Sequence, residues 1–475
     1  MTMKKFFGLT LAFLMLFSLA ACGLFGGDDP NDQDPTNGKT IDLQGQDFII
    51  FADSPLTADP RSDRYAGLNQ DAKIALIAAV EAKYNINVVY RGFPSNATWG
   101  GARERWIINN VVTGSPAGHI YQVASTSVPT LARAGAILDL TDLIGQYGDP
   151  DFPESKKQFG RFLDGHYIYD DLLPLNTIGI YYNMDLLEEL GYDKDLPSQM
   201  WLDGNWNWQT FETLAKDLDA AMSDREDHYV IGGRTYNWSY SMIHANGGFI
   251  VNDQLDVGVL EQEGLAAVQF VADLYHEVRW RSESSLSLTV EQEFVDGRVV
   301  FHNGEFWYAF NDARFGNRSF NNLGFVPFPT GDHTAADLSN YSNMIQFGPA
   351  SYVISRGYEK ENIPVGFEDF FIHDELIFQI WSEMQYFGDP EDALLEFELG
   401  LLSYYGSDLS VEAHMDVIQK LSNDLFYSFG ADAYGQIEGS MMLLFESSVK
   451  QNNVRETMEI VRPILEQLIE ERFID

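Results

Sequence analysis

The sequence predicts an α/β protein, and three observations carry that prediction. Short β-branched and aromatic runs alternate with stretches of helical apolar spacing from Phe48 to Leu138. The same alternation resumes at Thr177, before a last third that reads mostly as helix. The chain has 475 residues, of which 45% are hydrophobic, enough for two or three domains with proper cores.

Taken in order, Phe48-Ile49-Ile50-Phe51 is a buried strand that ends at Ala52-Asp53-Ser54-Pro55. Asp71 to Tyr84 places Ile74, Ile77 and Val80 at helical spacing, and Asn85 breaks that helix. Ile86 to Tyr90 is a strand, and Gly101 to Thr113 a helix stopped by Gly114 and Pro116. Ile120 to Ala124 is a third strand and Val128 to Leu138 the next helix. Strand–helix–strand–helix order implies parallel pairing with helices on both faces. Beyond a connection around Asp164 to Leu175, Thr177 to Tyr182 is a strand and Met184 to Leu190 a helix stopped by Gly191. Helices follow at Trp208 to Ala221 and Gly264 to Val278, with strands at Val299 to Phe301 and Leu323 to Val326. From Glu368 to Glu471 helix dominates, and Val461 to Ile469 is amphipathic. There is no internal repeat.

The N-terminus has a different character. Lys4 and Lys5 precede an apolar stretch from Phe6 to Phe17, and Leu19-Ala20-Ala21-Cys22 follows. Charge, apolar core and small residues in that order make a secretory signal, residues 1–21, too short to span a membrane. Leu-Ala-Ala-Cys resembles the lipobox of bacterial lipoproteins, which implies diacylglycerol on the Cys22 thiol and cleavage just before it; the plain alternative is an ordinary signal with an incidental cysteine. Cys22 is the only cysteine, so the mature chain has no disulfide. Residues 22–40, rich in Asp, Asn, Pro and Gly, read as lipid anchor and disordered acidic tether. Asp32, Asp34 and Thr36 alternate like calcium ligands, but Asn37 stands where such a loop needs Gly, and no Glu closes it.

Composition narrows function. The formal charge is −41, and removing Lys4 and Lys5 with the leader makes it −43. That excess argues against nucleic acid and against anionic lipid head groups as partners of the body; solubility, in salty surroundings, is the plain explanation and cation binding the alternative. The nine histidines are scattered without metal-ligand spacing, and there is no nucleophile elbow, P-loop or dinucleotide fingerprint. No cofactor and no catalytic residue is expected.

Several motifs, in order, resemble the extracellular solute-binding proteins of ABC transporters, family 1, in the sugar-binding branch that includes maltose-binding protein. They are Trp106 to Gly114 with Ser115-Pro116, Gly135-Ala136-Ile137-Leu138-Asp139-Leu140, Tyr181-Tyr182-Asn183-Met184-Asp185, Asn207-Trp208-Gln209-Thr210-Phe211, Asn246-Gly247-Gly248, Phe294-Val295-Asp296-Gly297 and Phe325-Val326-Pro327-Phe328-Pro329. Ala117-Gly118-His119 departs from the pattern, where the family has Asp. The resemblance implies a type II periplasmic-binding-protein-like fold, two α/β lobes joined by hinge strands with ligand in the cleft between. Lobe 1 is expected at 41–165 with a return segment at about 345–390, and lobe 2 at 166–344 with a helical segment at about 391–475.

The same resemblance implies where ligand is held. Trp307 stands where the sugar-binding branch has a stacking Trp, with Asn303-Gly304-Glu305 read as a loop; a core tryptophan is the other reading. Tyr236, Asn237 and Trp238, expected just before a helix, are aromatic contacts or lobe packing. Thr126 and Ser127 meet sugar hydroxyls or cap a helix. Asp53 accepts hydroxyl bonds or caps a loop. Tyr341, Ser342 and Asn343 lie at the lobe crossing, and Tyr434 is a further aromatic candidate. The expected function is a lipid-anchored monomer outside the cytoplasmic membrane that captures a sugar, foremost an oligosaccharide, for a membrane permease. A peptide, a polyamine or another polar solute is the alternative cargo, and a surface glycoside hydrolase or an adhesin the alternative class.

Overall fold

A computed structural model of the chain describes residues 41–152, 160–172, 177–252, 254–282, 292–344, 349–388, 390–422, 424 and 441–471. The first strand, β1 (Gln46–Ala52), is followed by a helix at Gln70–Tyr84, β2 (Ile86–Gly92), a helix at Gly101–Val112 and β3 (Ile120–Ala124). Apolar side chains of β1 leave on both faces because strand residues alternate. Phe48 and Ile50 pack with Ile77 and Val80 of the first helix and with Ile377 and Ile380. Phe51 packs on the other face with Ile107, Tyr121 and Leu131. Asn85 ends the first helix in the left-handed conformation, φ 49°, its N–H bonded to Glu81 O.

Val128–Arg133 is helical, but the helix is shorter than its sequence suggests. Leu138 N–H donates to Ile354 O and Arg356 N–H to Ala136 O, so pairing with a distant strand takes residues that propensity alone would leave helical. A small hairpin follows, β4 (Arg161–Phe162) with β5 (Gly165–His166).

The second sheet holds β6 (Ile178–Asn183), β7 (Tyr229–Gly232), β8 (Trp280–Arg281), β9 (Val299–Glu305) and β10 (Leu323–Val326), in the order β10-β6-β9-β7-β8. Its long helices are Trp208–Ala221, Thr235–Ala245 and Gln262–Glu277. Asn207 starts the first of these with a capping box, its side chain taking Thr210 N–H while Thr210 Oγ1 takes Asn207 N–H. Three more strands follow: β11 (Asn343–Met344), β12 (Ala350–Ile354) and β13 (Leu421–Ser422), which pairs with β11. β12 returns to the first sheet, antiparallel to β3, giving the order β12-β3-β1-β2, while β1, β2 and β3 are parallel. Helices at Asp408–Val417, Met441–Gln451 and Val454–Ile469 contribute Val411, Phe445 and Val461 to the apolar cluster of the second sheet.

The register fixes how the sheets meet. Ala124, at the end of β3, pairs with Ala350, the start of β12; Ile178, the start of β6, pairs with Glu305, the end of β9. Leu172 to Thr177 and Met344 to Pro349 are each five peptide steps, a reach of at most about 18 Å. The C-terminal ends of β1, β2 and β3 are therefore tied close to those of β7 and β9, and the two strand-end rims bound a cleft. The lobes also touch directly: Arg133 donates to Glu471 O at 2.7 Å, and Asn69 N–H reaches Glu396 at 3.3 Å.

Candidate functional site: two facing rims

On the first rim, Asp53 follows β1, and its N–H is held by Gln122 Oε1 at 2.7 Å. Its carboxylate takes a hydrogen bond from Arg103 Nη2 at 2.6 Å. The Arg103 side chain is 3% exposed whereas that of Asp53 is 64% exposed, so a buried cation orients an acceptor that faces solvent. Arg103 also donates to Gln122 O and Ala97 O. Its guanidinium lies 4.0 Å from the centroid of Phe93 and 4.7 Å from that of Trp99. Burial lowers the Arg103 pKa and Asp53 opposes the shift. Trp99 keeps 42% exposure, a broad apolar face beside an oriented carboxylate. Thr126, just after β3, is half-buried in a turn of 3-10 helix. Ser127 caps no helix: buried, it donates to Glu104 at 2.7 Å.

On the second rim, β7 ends at a turn that only glycine fits. Gly233 has φ +97°, and a Cβ there would lie 1.9 Å from Asn303 Oδ1. The next residue, Arg234, is buried and donates to the Tyr236 hydroxyl at 2.9 Å. Tyr236, Asn237 and Trp238 lie within the Thr235–Ala245 helix rather than before it. Trp238 is a core residue: fully buried, stacked on Phe211 at 6.0 Å, its indole N–H bonded to Gly232 O. Tyr236 is buried and Asn237 half-buried.

β9 runs on through Asn303, Gly304 and Glu305, which the sequence reads as a loop. Asn303 and Gly304 pair with Ile180 and Gly179, and the bare glycine admits the rings of Tyr181, Tyr308 and Phe315. Glu305 then accepts the Trp307 indole N–H at 2.5 Å. Crowding by protein atoms pushes its carboxyl up to about 7, against the Trp307 bond and the Arg314 charge, although part of the residue still reaches solvent. Arg314 sits 5.0 Å from the Trp307 centroid and 5.1 Å from that of Tyr308. Burial, and then Glu305, raises the Tyr308 hydroxyl pKa, with Arg314 opposing and Tyr236 and Arg234 also within range. Trp307, Tyr308, Glu305, Arg314, Arg234 and Tyr236 thus form one cluster at the rim. Beside it, half-buried Phe306 packs edge-on to Phe310, which is 44% exposed.

The crossing residues serve the scaffold. The Tyr341 hydroxyl donates to Phe328 O at 3.0 Å, with its ring 5.2 Å from Trp201. Asn343 is buried, and its amide donates to Thr177 Oγ1, Ile178 O and Met344 O, which pins β11 to the start of β6. Neither faces the cleft as a free ligand group. Ser342 is half-buried. Cys22 and Tyr434 lie outside the described residues.

Sequence reasoning passed over Trp99, Arg103, Glu305 and Arg314. A signal for Trp99 existed: a lone tryptophan in the polar run Pro94-Ser95-Asn96-Ala97-Thr98 has no core to join. Among the described residues no group of three or more His, Cys, Asp or Glu is arranged to hold a metal, and no helix is long and apolar enough to cross a membrane.

Two α/β lobes whose strand ends oppose each other, with aromatic faces and fixed polar groups on each rim, define a two-lobed binding protein of the type II periplasmic-binding fold. The chain belongs to the bacterial extracellular solute-binding protein family, whose model matches residues 75–361. No curated protein sequence matches it. Solved structures share the fold at low identity. An ABC substrate-binding protein of Listeria monocytogenes in complex with cycloalternan is 14% identical with a TM-score of 0.58, covering 90% of this chain and 99% of that one. UgpB of Mycobacterium tuberculosis in complex with glycerophosphocholine is 14% identical, TM-score 0.59, covering 90% and 100%. Maltose-bound MalE3 of T. maritima is 13% identical, TM-score 0.55, covering 89% and 100%.

Proposed function

We propose that the chain is a lipid-anchored extracellular receptor that captures a sugar, foremost an oligosaccharide, and hands it to an ABC-transporter permease, with no chemistry of its own. One observation carries this reading: each rim pairs an indole, exposed in Trp99 and half-buried in Trp307, with a carboxylate held by arginine or by the indole itself, Trp99 with Asp53 and Trp307 with Glu305. A sugar offers apolar C–H faces and hydroxyls that need replacement partners, and that pairing meets both needs. The neighbours bound to cycloalternan and to maltose support the cargo class. Of the sequence-predicted contacts, Asp53, Thr126, Tyr236, Asn237 and Trp307 stay in the proposed site, joined by Trp99, Arg103, Glu305 and Arg314. The domain division is proposed as read from the sequence, with 41–165 and about 345–390 in lobe 1 and the remainder of the mature chain after the tether in lobe 2.

Thermal unfolding against a panel of saccharides tests the cargo, because a ligand that binds only the folded state raises the melting temperature by mass action. A shift with one class of saccharide, which is recovered intact, is the expected result. Release of reducing sugar would make the protein a hydrolase, and shifts confined to peptides would overturn the cargo. Radioactive palmitate tests the anchor: label must disappear in Cys22→Ala.

A second cargo, a polar solute with an anionic group, draws on two observations. Arg234 and Arg314 both border the second rim, and one neighbour binds glycerophosphocholine. The same arginines disfavour a polyamine. Glycerophosphodiesters therefore belong in the panel.

A further inference from the structure

The loop that leaves β12 has an apolar tip that stands largely exposed among the described residues. Along Ile363-Pro364-Val365-Gly366-Phe367-Glu368-Asp369-Phe370-Phe371, Val365 is 94% exposed, Phe367 54%, Phe370 44% and Phe371 50%. The turn is built: Phe367 N–H donates to Pro364 O, Phe370 N–H to Phe367 O, and Gly366 N–H to the Glu368 carboxylate at 2.7 Å. Its own N–H and that of Gly366 hold the Glu368 carboxyl below the usual range, so that charge is committed to the turn.

Place in the fold decides what this tip meets. β12 begins at the cleft rim, opposite Ala124, and ends at Ile354, opposite Ile120, so the loop lies at the end of lobe 1 remote from the cleft. β1 begins at that same end, and Gln46 Nε2 donates to Phe370 O at 2.8 Å. The chain running toward Cys22 is held there as well, with Leu43 N–H bonded to Tyr84 O and Gly45 N–H to Asn85 O. The start of the described chain and the apolar tip therefore share one end of lobe 1. From Cys22 to Ile41 is 19 peptide steps, at most about 65 Å when fully extended, so a lipid on Cys22 keeps the tip within reach of the bilayer at high local concentration.

We propose that the 363–371 loop is a second, apolar contact with the membrane surface, which seats the anchored protein on lobe 1. The proposal rests on lipidation of Cys22. A second copy of the chain is a poorer occupant, because a stable protein interface buries about 1,200 Å² or more and a narrow tip offers far less. Membrane interfaces accept small tips of this kind, since aromatic rings partition at the headgroup level.

The test exploits the single cysteine. Val365→Cys in the full-length lipoprotein adds one free thiol, which takes an environment-sensitive nitrobenzoxadiazole dye while Cys22 is occupied by lipid. Phosphatidylcholine vesicles suit the assay because the acidic body repels anionic head groups. The dye at 365 is expected to brighten several-fold, shift to the blue, and be quenched by lipids spin-labelled near the glycerol backbone; a dye at Ser95→Cys, at the cleft end of the same lobe, is expected to stay aqueous. A dye at 365 as aqueous as that at 95, on protein that floats with the vesicles, overturns the proposal. So does a blue shift that needs no vesicles and grows with protein concentration, which would mean a second copy covers the loop. Failure of the anchor reads differently: the protein does not float and takes a second label at Cys22, and the membrane seat falls with the anchor.

Discussion

Glu305→Gln should make the protein more stable at neutral pH but not at acid pH. The carboxyl is pushed from 4.5 to about 7 by its crowded position at the end of β9. Below 4.5 it is protonated in the folded and unfolded chain alike, so substitution changes little there. Between 4.5 and 7 the unfolded chain loses the proton and the folded one keeps it, so stability falls as pH rises. Above 7 both forms are ionised and the folded state carries the full cost of a crowded charge. The shift corresponds to about 3 kcal/mol at about 1.4 kcal/mol per pH unit; partial solvent access reduces it to about 2 kcal/mol. Glutamine keeps an oxygen for the Trp307 indole N–H, so packing is preserved. Urea unfolding of both proteins at intervals from pH 4.5 to 8 is the assay. The variant's advantage should grow from near zero to about 2 kcal/mol across that range. A difference that stays constant with pH would falsify the assignment of a raised carboxyl to this residue.

Three further outcomes follow from the same geometry. Trp99→Ala and Trp307→Ala should each weaken saccharide binding by about 1–3 kcal/mol in titration calorimetry; unchanged affinity removes that rim from the site. Arg103→Ala should cost about 1–3 kcal/mol in urea unfolding, less than a fully buried pair because Asp53 is exposed, and a neutral result would show that the Arg103–Asp53 pair adds nothing to stability. Gly233→Ala should lower stability by about 2 kcal/mol or more, since the left-handed φ and the Asn303 contact both oppose a Cβ; a wild-type melting temperature would refute that.

What the sequence made legible depended on local signals. The Trp208–Ala221 helix stood out because Asn207 and Thr210 cap it and Phe211, Leu214, Ala215 and Leu218 line one face. β1, β2 and β3 were legible because β-branched and aromatic runs end at turn residues. Asn303-Gly304-Glu305 was misread because polar residues and glycine signal a turn locally, whereas here the glycine clears space for three rings inside a sheet. Trp238 stayed open between ligand contact and lobe packing because a Tyr-Asn-Trp triplet carries no mark of which face is buried, and in a helix buried almost all round periodicity carries no information. The rim arginines were invisible for a different reason. Arg103 and Asp53 are fifty residues apart, and only the fold brings them to 2.6 Å.

The return of β12 to the first sheet has a consequence for the order of events in folding. Until Ala350–Ile354 arrives, β3 is an open edge, a row of unpaired backbone groups inviting the wrong partner. Everything between Ala124 and Ala350, including the whole second sheet, intervenes in the chain before that edge can close. Lobe 1 thus begins first and finishes late, and long-range closure of this kind is slow. The lobe whose rim presents Trp99 and Asp53 is for that interval the vulnerable half of the chain.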